Sequence, residues 1–462
     1  MLSALSNFLW DYVLALLLVS IGLLFTIASR GVQFRFFGRM FTVLCGGLRH
    51  EKGRISSFQA LVVSVAGRVG GGNIGGVAVA ITLGGPGAVF WMWLIGLMGM
   101  ATSFFECSLA QLYKRREPDG TYRGGPAYYL QNGARQRWLA IVYSILLLIT
   151  FGFGFNALQS YMVATSIEAS FGLSPWVTGV CMAVFMGLII FGGIQRIAAV
   201  AEVIVPLMAL GYLLAALSVL IINLSEIPAM LVLIVKSAFG LEQAIGGGLG
   251  VALMEGIKRG LFSNEAGLGS APNVAAVAYV PHPVNQGIVQ AFSVFIDTII
   301  MCTCTALIIL LSDIYQSGLE NIAGVALTQN ALASHVGEWG AMYVSMALVL
   351  FAFSSIMYNY FLGENSLGFL CHNRPVLLYG FRIIVLALLL WGSLQDLKTV
   401  FGFADLTMGL LGLVNLVGLL WMFKIAMRLL NDYDNQLKVT ATPRLKPEDY
   451  CDLDIDPGAW RS

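Results

Sequence analysis

Arg68-Val69-Gly70-Gly71-Gly72-Asn73-Ile74-Gly75-Gly76 holds five glycines in seven positions from Gly70 onward. It lies near the middle of an apolar run, 57–83, long enough to cross a bilayer. Each glycine inside a helix costs about 1 kcal/mol relative to alanine. In hydrocarbon, backbone without helical hydrogen bonds is tolerated only where protein buries it or it lines a cavity. With Arg68 and Asn73 embedded beside the glycines, the stretch reads as an unwound segment whose free amides and carbonyls bind a ligand and an ion. Close packing through small residues is the competing reading. A phosphate loop is excluded, because no Gly-Lys-Ser/Thr follows and no strand precedes.

The rest of the chain surrounds this segment with membrane-like sequence. Of 462 residues, 58% are hydrophobic and 11% charged, and the mean hydropathy is +0.81. A soluble domain is nearer one quarter charged, so the chain is a polytopic, all-α membrane protein. Windows of about 20 apolar residues predict eleven transmembrane helices near 8–29, 57–83, 87–113, 138–170, 174–194, 198–223, 229–280, 285–312, 338–370, 377–395 and 400–430. The runs are continuous rather than alternating, which excludes a membrane β-barrel. The net charge of +1 leaves no basic reservoir for nucleic acid, and the seven scattered cysteines form no disulfide scaffold or zinc site. No basic n-region of a cleaved signal peptide precedes the first run.

Charge orients the bundle. Segment 30–56 carries Arg30, Arg35, Arg39, Arg49, Lys52 and Arg54, whereas 313–337 has no Lys or Arg at all. An outside N-terminus gathers nearly all basic residues on the cytoplasmic side and leaves the C-terminus inside. The 31–56 loop is therefore read as a topology determinant rather than an anionic-lipid or nucleic-acid patch. The tail, 431–462, is polar and expected to be partly disordered.

The seventh run is too long and glycine-rich for one straight helix. It contains Gly246-Gly-Gly-Leu-Gly250, then Glu255, Lys258, Arg259 and Glu265. Charges at helix-centre depth cost about 2.5–3.5 kcal/mol each on translocon scales, so this run is read as lining a pathway rather than a cytoplasmic exit. Setting aside the first helix (1–30) leaves two sets of five, 57–228 and 229–430. Each set begins with an interrupted helix. Two inverted five-helix repeats with matching broken helices point to a secondary transporter with its site at the breaks.

Several stretches resemble the alanine/glycine:cation symporter family. They are Gly67-Arg-Val-Gly-Gly-Gly-Asn-Ile-Gly-Gly-Val77, Leu83-Gly-Gly-Pro-Gly-Ala-Val-Phe-Trp-Met-Trp93, Asp119-Gly-Thr-Tyr-Arg-Gly-Gly-Pro126, Ile257-Lys-Arg-Gly-Leu-Phe-Ser-Asn-Glu-Ala-Gly-Leu-Gly-Ser-Ala-Pro272 and Phe295-Ile-Asp-Thr298. The resemblance implies a sodium-coupled importer of small neutral amino acids in a bacterial or archaeal inner membrane, with the leucine-transporter type of inverted repeat. It places the substrate carboxylate on Gly70, Gly71, Gly72 and Asn73 and gives Gln159 a hydrogen bond to substrate. It places Na⁺ between the Ser354 and Ser355 hydroxyls and carbonyls near Ala66 and Val69, neutral oxygens suited to a hard cation. Arg68, Glu255, Ser263, Asn264 and Asp297 are candidates for gating or proton relay.

The sequence departs from the family at Gly71, where Thr is common, and at Asn359, where alanine-binding members carry a Trp over the pocket. A smaller, amide-bearing residue there opens glutamine or another larger neutral amino acid beside alanine and glycine. Proton coupling is the alternative to sodium. A channel fits less well, because a pore would repeat one motif symmetrically. An enzyme would need a nucleophile and its base, and no such motif is present.

Overall fold

The computed structural model describes residues 6, 8–46, 55–118, 120–241, 248–316, 324–372 and 374–460. The apolar runs are helices throughout: α1 Leu9–Ala28, α2 Phe37–Gly46, α3 Ser57–Arg68, α4 Gly72–Gly84, α5 Gly87–Leu112, α6 Arg137–Phe171, α7 Pro175–Ile190, α8 Gly193–Ile222 and α9 Ile227–Ala238. The second half adds α10 Leu249–Asn264, α11 Ser270–Val277, α12 Pro283–Leu310, α13 Val325–Val336, α14 Trp339–Cys371, α15 Pro375–Ser393, α16 Leu397–Trp421 and α17 Phe423–Leu437. Among the described residues, eight helices are long and apolar enough to cross a membrane, or nine with the bent pair α3/α4 taken as one span. A segment must satisfy every backbone polar group internally to sit in lipid, and among the described residues the largest sheet is the two-residue pairing of Arg115–Arg116 with Tyr122–Arg123.

Both expected interruptions are present, and the second differs from its sequence reading. The first falls at residues 69–71, where α3 and α4 meet at 46°. The 229–280 run is not one broken helix: α9 is a separate short helix, and the interrupted pair is α10/α11. Its break is the turn from Glu265 to Gly269, with Glu265, Gly267 and Gly269 all at positive φ. Glycine adopts that conformation freely and a glutamate does not. Gly246 and Gly247 lie outside the described residues, so the break that can be seen is the later one.

Helices α10, α11 and α12 pack on α5, while α14 packs on α3, α6, α8 and α13. The two broken helices therefore sit between these groups. Arg68, at the last turn of α3, is 1% exposed. Its guanidinium donates to Ser103 Oγ (2.9 Å), to the Gln290 carbonyl (3.0 Å) and to Ser293 Oγ, which ties α3 to α5 and α12.

The tail is ordered rather than loose. From α17 onward it crosses the ends of several helices. Leu445 N–H donates to the Pro281 carbonyl (2.9 Å), Arg115 pairs with Asp454 (2.9 Å) and Arg35 with Asp434 (2.7 Å). Leu445, Tyr450 and Ile455 are buried beneath it. Apolar residues spaced through a polar segment gave it a surface to bury. The basic 31–56 loop is likewise partly helical, as α2; Arg49, Lys52 and Arg54 lie outside the described residues.

Candidate functional site

The first break presents amides to α6. Gly71 N–H donates to Gln159 Oε1 (3.2 Å), and Gly70 N–H to Asn73 Oδ1 (2.9 Å). The glycines permit this closeness: a Cβ on Gly71 would stand 2.3 Å from Met162 Sδ, and one on Gly70 2.3 Å from Ser355 Oγ. Gly72 faces Phe262 and Ser263 at the end of α10. Sequence positions 70–73, 159, 263 and 355 thus converge.

Asp297, from α12, joins the two broken helices. Its carboxyl oxygens accept from Asn73 Nδ2 (2.6 Å), from Ser263 Oγ (2.9 and 3.0 Å) and from Thr298 Oγ1 (2.7 Å). One side chain thereby holds α4 to α10. Asn264 has a different place: its Oδ1 accepts from Ala266 N–H (3.0 Å), closing the turn into the second break.

The two breaks are not equivalent as anion sites. At the second, Glu106 of α5 takes Gly267 N–H (3.3 Å), and Asn415 Nδ2 bridges Glu106 (3.1 Å) to the Gly267 carbonyl (2.9 Å). Glu265 accepts from Ser270 Oγ (2.6 Å) and from Tyr358 OH (3.0 Å), fixing the break to α14. An acidic side chain of the protein already occupies those amides. At the first break the acceptor is the neutral amide of Gln159, a weaker acceptor of N–H groups than a carboxylate.

The expected ion ligands also meet. Ser354 Oγ and Ser355 Oγ lie 3.2 and 3.1 Å from the Ala66 carbonyl. Ser355 reaches the Gly67 carbonyl as well (3.3 Å). Val69 makes no such contact among the described residues: the chain has already turned there, and Gly67 takes its place. Both serines lie in hydrogen-bond reach of the Phe351 carbonyl (2.8 and 3.0 Å). This back-bonding is usual for helix serines. A proton directed to Phe351 leaves hydroxyl lone pairs facing Ala66, the arrangement a cation requires.

Asn359 lies one turn beyond Ser355 on α14, 1% exposed, and its Nδ2 has no partner among the described residues. A buried donor without an acceptor costs about 1–3 kcal/mol, so this amide awaits one.

Outside the breaks the site is sealed by Phe262, Phe401 and Asp405, to which the sequence reading gave no role, together with Glu255 and Arg259, which it did single out. Phe262 packs edge-on against Phe155 (5.2 Å) and beside Phe401 (6.0 Å). Arg259 grips Asp405 of α16 with two nitrogens (3.2 and 2.9 Å) and its own Glu255 (3.3 Å). Glu255 and Arg259 therefore lie before the break, on the α9 side of α10, rather than at its far exit. Asp405 was legible as a lone acid in an apolar run, and embedded charges of opposite sign pair. A cavity of about 230 Å³, bordered by Gly75, Tyr161, Met162, Gln329 and Phe401, lies beyond this seal. On the other side, the Tyr358 ring fills the space over Gly67.

The chain is similar to several known transport proteins. Residues 1–447 match the sodium:alanine symporter family. The chain is 45% identical to a Bacillus subtilis protein described as a probable sodium/glutamine symporter, GlnT, over 95% of this chain and 91% of that one. It is 45% identical to the B. subtilis amino-acid carrier protein AlsT, over 97% and 95%. It is 36% identical to a sodium/proton-dependent alanine carrier protein of Bacillus sp. PS3, over 89% and 95%. A crystal structure of a manganese transporter mutant from Eremococcus coleocola shares the fold at a TM-score of 0.52 and 12% identity, covering 79% of this chain and 76% of that one.

Proposed function

The chain belongs to the sodium:alanine symporter family, a multi-pass membrane transporter and not an enzyme, and on that premise we propose that it imports small neutral amino acids, alanine and glycine, by alternating access coupled to Na⁺. The observation that carries this reading is the meeting of two broken helices at one buried site. The Gly70–Gly72 amides hold the substrate carboxylate, Asn73 and Gln159 orient it, and Na⁺ sits among Ala66, Gly67, Ser354 and Ser355. Because that ion bridges α3 to α14, its binding favours the arrangement in which the two are together, and its release into low sodium frees α3 to move. Arg259 with Asp405 and Glu255 closes one side of the pathway.

The proposed topology has eleven spans: α1, then two inverted sets of five, 57–228 and 229–430. Helix α7 and the α10/α11 pair supply the spans that length and charge alone do not count. Nearly all basic residues then face the cytoplasm, with the N-terminus outside and the tail within the cell, in a bacterial inner membrane.

A second substrate reading has its own support. The unpartnered Asn359 amide suits a side-chain carbonyl, so glutamine is the alternative to alanine. Proton coupling is the alternative for the ion, with Asp297 as relay. Proteoliposomes supplied externally with labelled alanine under imposed Na⁺ or H⁺ gradients, with excess unlabelled alanine or glutamine as competitor, decide both. Uptake driven by Na⁺ and blocked by excess alanine is the expected result; equal uptake with no ion gradient would overturn symport.

A further inference from the structure

Arg30 and Arg35 were read from sequence as topology charges, but the fold adds a third cation and a cleft. The end of α1 and one face of α17 enclose a cavity of about 710 Å³ bordered by Ala28, Arg30, Arg35, Met427, Asp434 and Lys438. On α17 the bordering positions 427, 431, 434, 435 and 438 follow helical spacing and share one face. Arg35 is paired with Asp434 (2.7 Å), so the cleft keeps the charge of Arg30 and Lys438 in excess. Both cations are exposed.

The depth of the cleft identifies its occupant. Helices α1 and α16 run side by side, with Trp10 Nε1–H bonded to the Asp405 carbonyl (3.0 Å) near their starts. The apolar surface of α1, including exposed Leu24 and Ile27, stops at Ala28, and that of α16 stops at exposed Trp421. Those endings mark the boundary between hydrocarbon and headgroups. The cleft therefore has a basic rim at headgroup depth, and Leu24 lies one turn above Ala28 on the lipid-facing surface. We propose that the cleft between α1 and α17 binds an anionic phospholipid, its phosphate on Arg30 and Lys438 and an acyl chain along Ala28 and Leu24. In the proposed orientation this is the cytoplasmic leaflet, where anionic lipids concentrate. Because α17 leads into the tail that crosses the helix ends, the lipid holds that tail in place.

The test uses the purified full chain in nanodiscs of phosphatidylcholine alone or with phosphatidylglycerol. Because both leaflets then match, the result does not depend on orientation. The reading is the melting temperature as phosphatidylglycerol is titrated. Wild type should be stabilised with a saturable midpoint. Each of Arg30→Gln and Lys438→Gln should raise that midpoint about fivefold, and the pair about 25-fold. Arg30→Lys should stay near wild type. Unchanged melting of the variants in phosphatidylcholine confirms their folding. Arg137→Gln, an exposed cation at the start of α6, should change the midpoint less than twofold. The proposal is overturned if wild type shows no preference for phosphatidylglycerol. It is equally overturned if Arg137→Gln matches Arg30→Gln, which would mean diffuse attraction. Equal stabilisation of detergent-solubilised protein by inorganic phosphate through Arg30 would replace the lipid with a free anion and also overturn it.

Discussion

Gly70→Ala isolates the contact between the first break and the ion ligands. Its Cβ would stand 2.3 Å from Ser355 Oγ, about 1 Å inside ordinary van der Waals contact. Either the hydroxyl rotates away from the Ala66 and Gly67 carbonyls, or α3 backs away from α14. Overpacking of this kind costs about 1–3 kcal/mol. If about 2 kcal/mol falls on the sodium-bound arrangement, the sodium half-saturation of alanine uptake rises roughly 30-fold. Gly76→Ala is the control, because its Cβ would meet Phe262 at an ordinary 3.4 Å. Gly76 lies inside α4, where alanine is also the better helix former, so a twofold change or less is expected there. The double variant Gly70→Ala/Ser355→Ala separates crowding from ligation. Removing the hydroxyl leaves the end of the Gln159 side chain at 3.3 Å and Ser355 Cβ at 3.4 Å, so most of the melting temperature should recover while sodium affinity does not. Uptake into proteoliposomes, with K⁺ replacing Na⁺, supplies the half-saturation values. A wild-type sodium response in Gly70→Ala would refute both the close approach and the ion assignment.

Further outcomes follow from other parts of the site. Ser354→Ala and Ser355→Ala should each weaken the sodium response about tenfold while shifting melting by only a few degrees, and an unchanged response in both would remove the serines from the ion site. Gly72→Leu should abolish binding of labelled alanine while the protein still inserts; normal uptake would mean the glycines serve packing alone. Asn359→Trp should strengthen competition by alanine over glutamine up to tenfold relative to wild type, and no change would show that Asn359 does not border the substrate. The tail should loosen in acid. Burial holds the His282 imidazole below its ordinary value of about 6.5, and Asp432, which it faces with Tyr433 and Tyr450, is held below the usual carboxylate range by the His282 hydrogen bond against the opposing effect of burial. The undocked tail then takes up protons that the docked one resists, so docking weakens as pH falls below about 6.5. Limited proteolysis after Lys438 at pH 5 and 7.5 reads this, and equal cleavage rates would refute it.

Composition and glycine pattern made much of this architecture readable. A nine-residue stretch with five glycines cannot remain a plain helix, and its position was legible because glycine acts locally. The proposed ion ligands were legible only in part. Ser354 and Ser355 stand out as adjacent hydroxyls, but which carbonyl faces them depends on where α3 turns, and that exchanged Val69 for Gly67. Where the 229–280 run breaks was left open by the sequence, because the turn depends on Glu265 at positive φ, which local propensity disfavours and hydrogen bonds from Tyr358 and Ser270 stabilise. The tail was read as loose for a similar reason: Leu445 and Tyr450 look isolated until Pro281 and Asp432 come beside them.

The bond between Trp10 and Asp405 spans 395 residues, and that separation has a consequence for biosynthesis. Helix α1 leaves the ribosome long before α16, which carries its acceptor carbonyl and the Gly409 surface facing Leu9 and Leu14. At about 5–20 residues per second, the delay is roughly 20–80 s. For that interval the first helix has α5 beside it, through Gly22 against Met98 and Phe25 against Phe105, but not α16, and the Trp10 indole is without the acceptor it has in the finished bundle. The face of α1 that carries Leu9, Trp10 and Leu14 is therefore covered last, and a stall in translation after α15 would leave that face open while the α5 face is already packed.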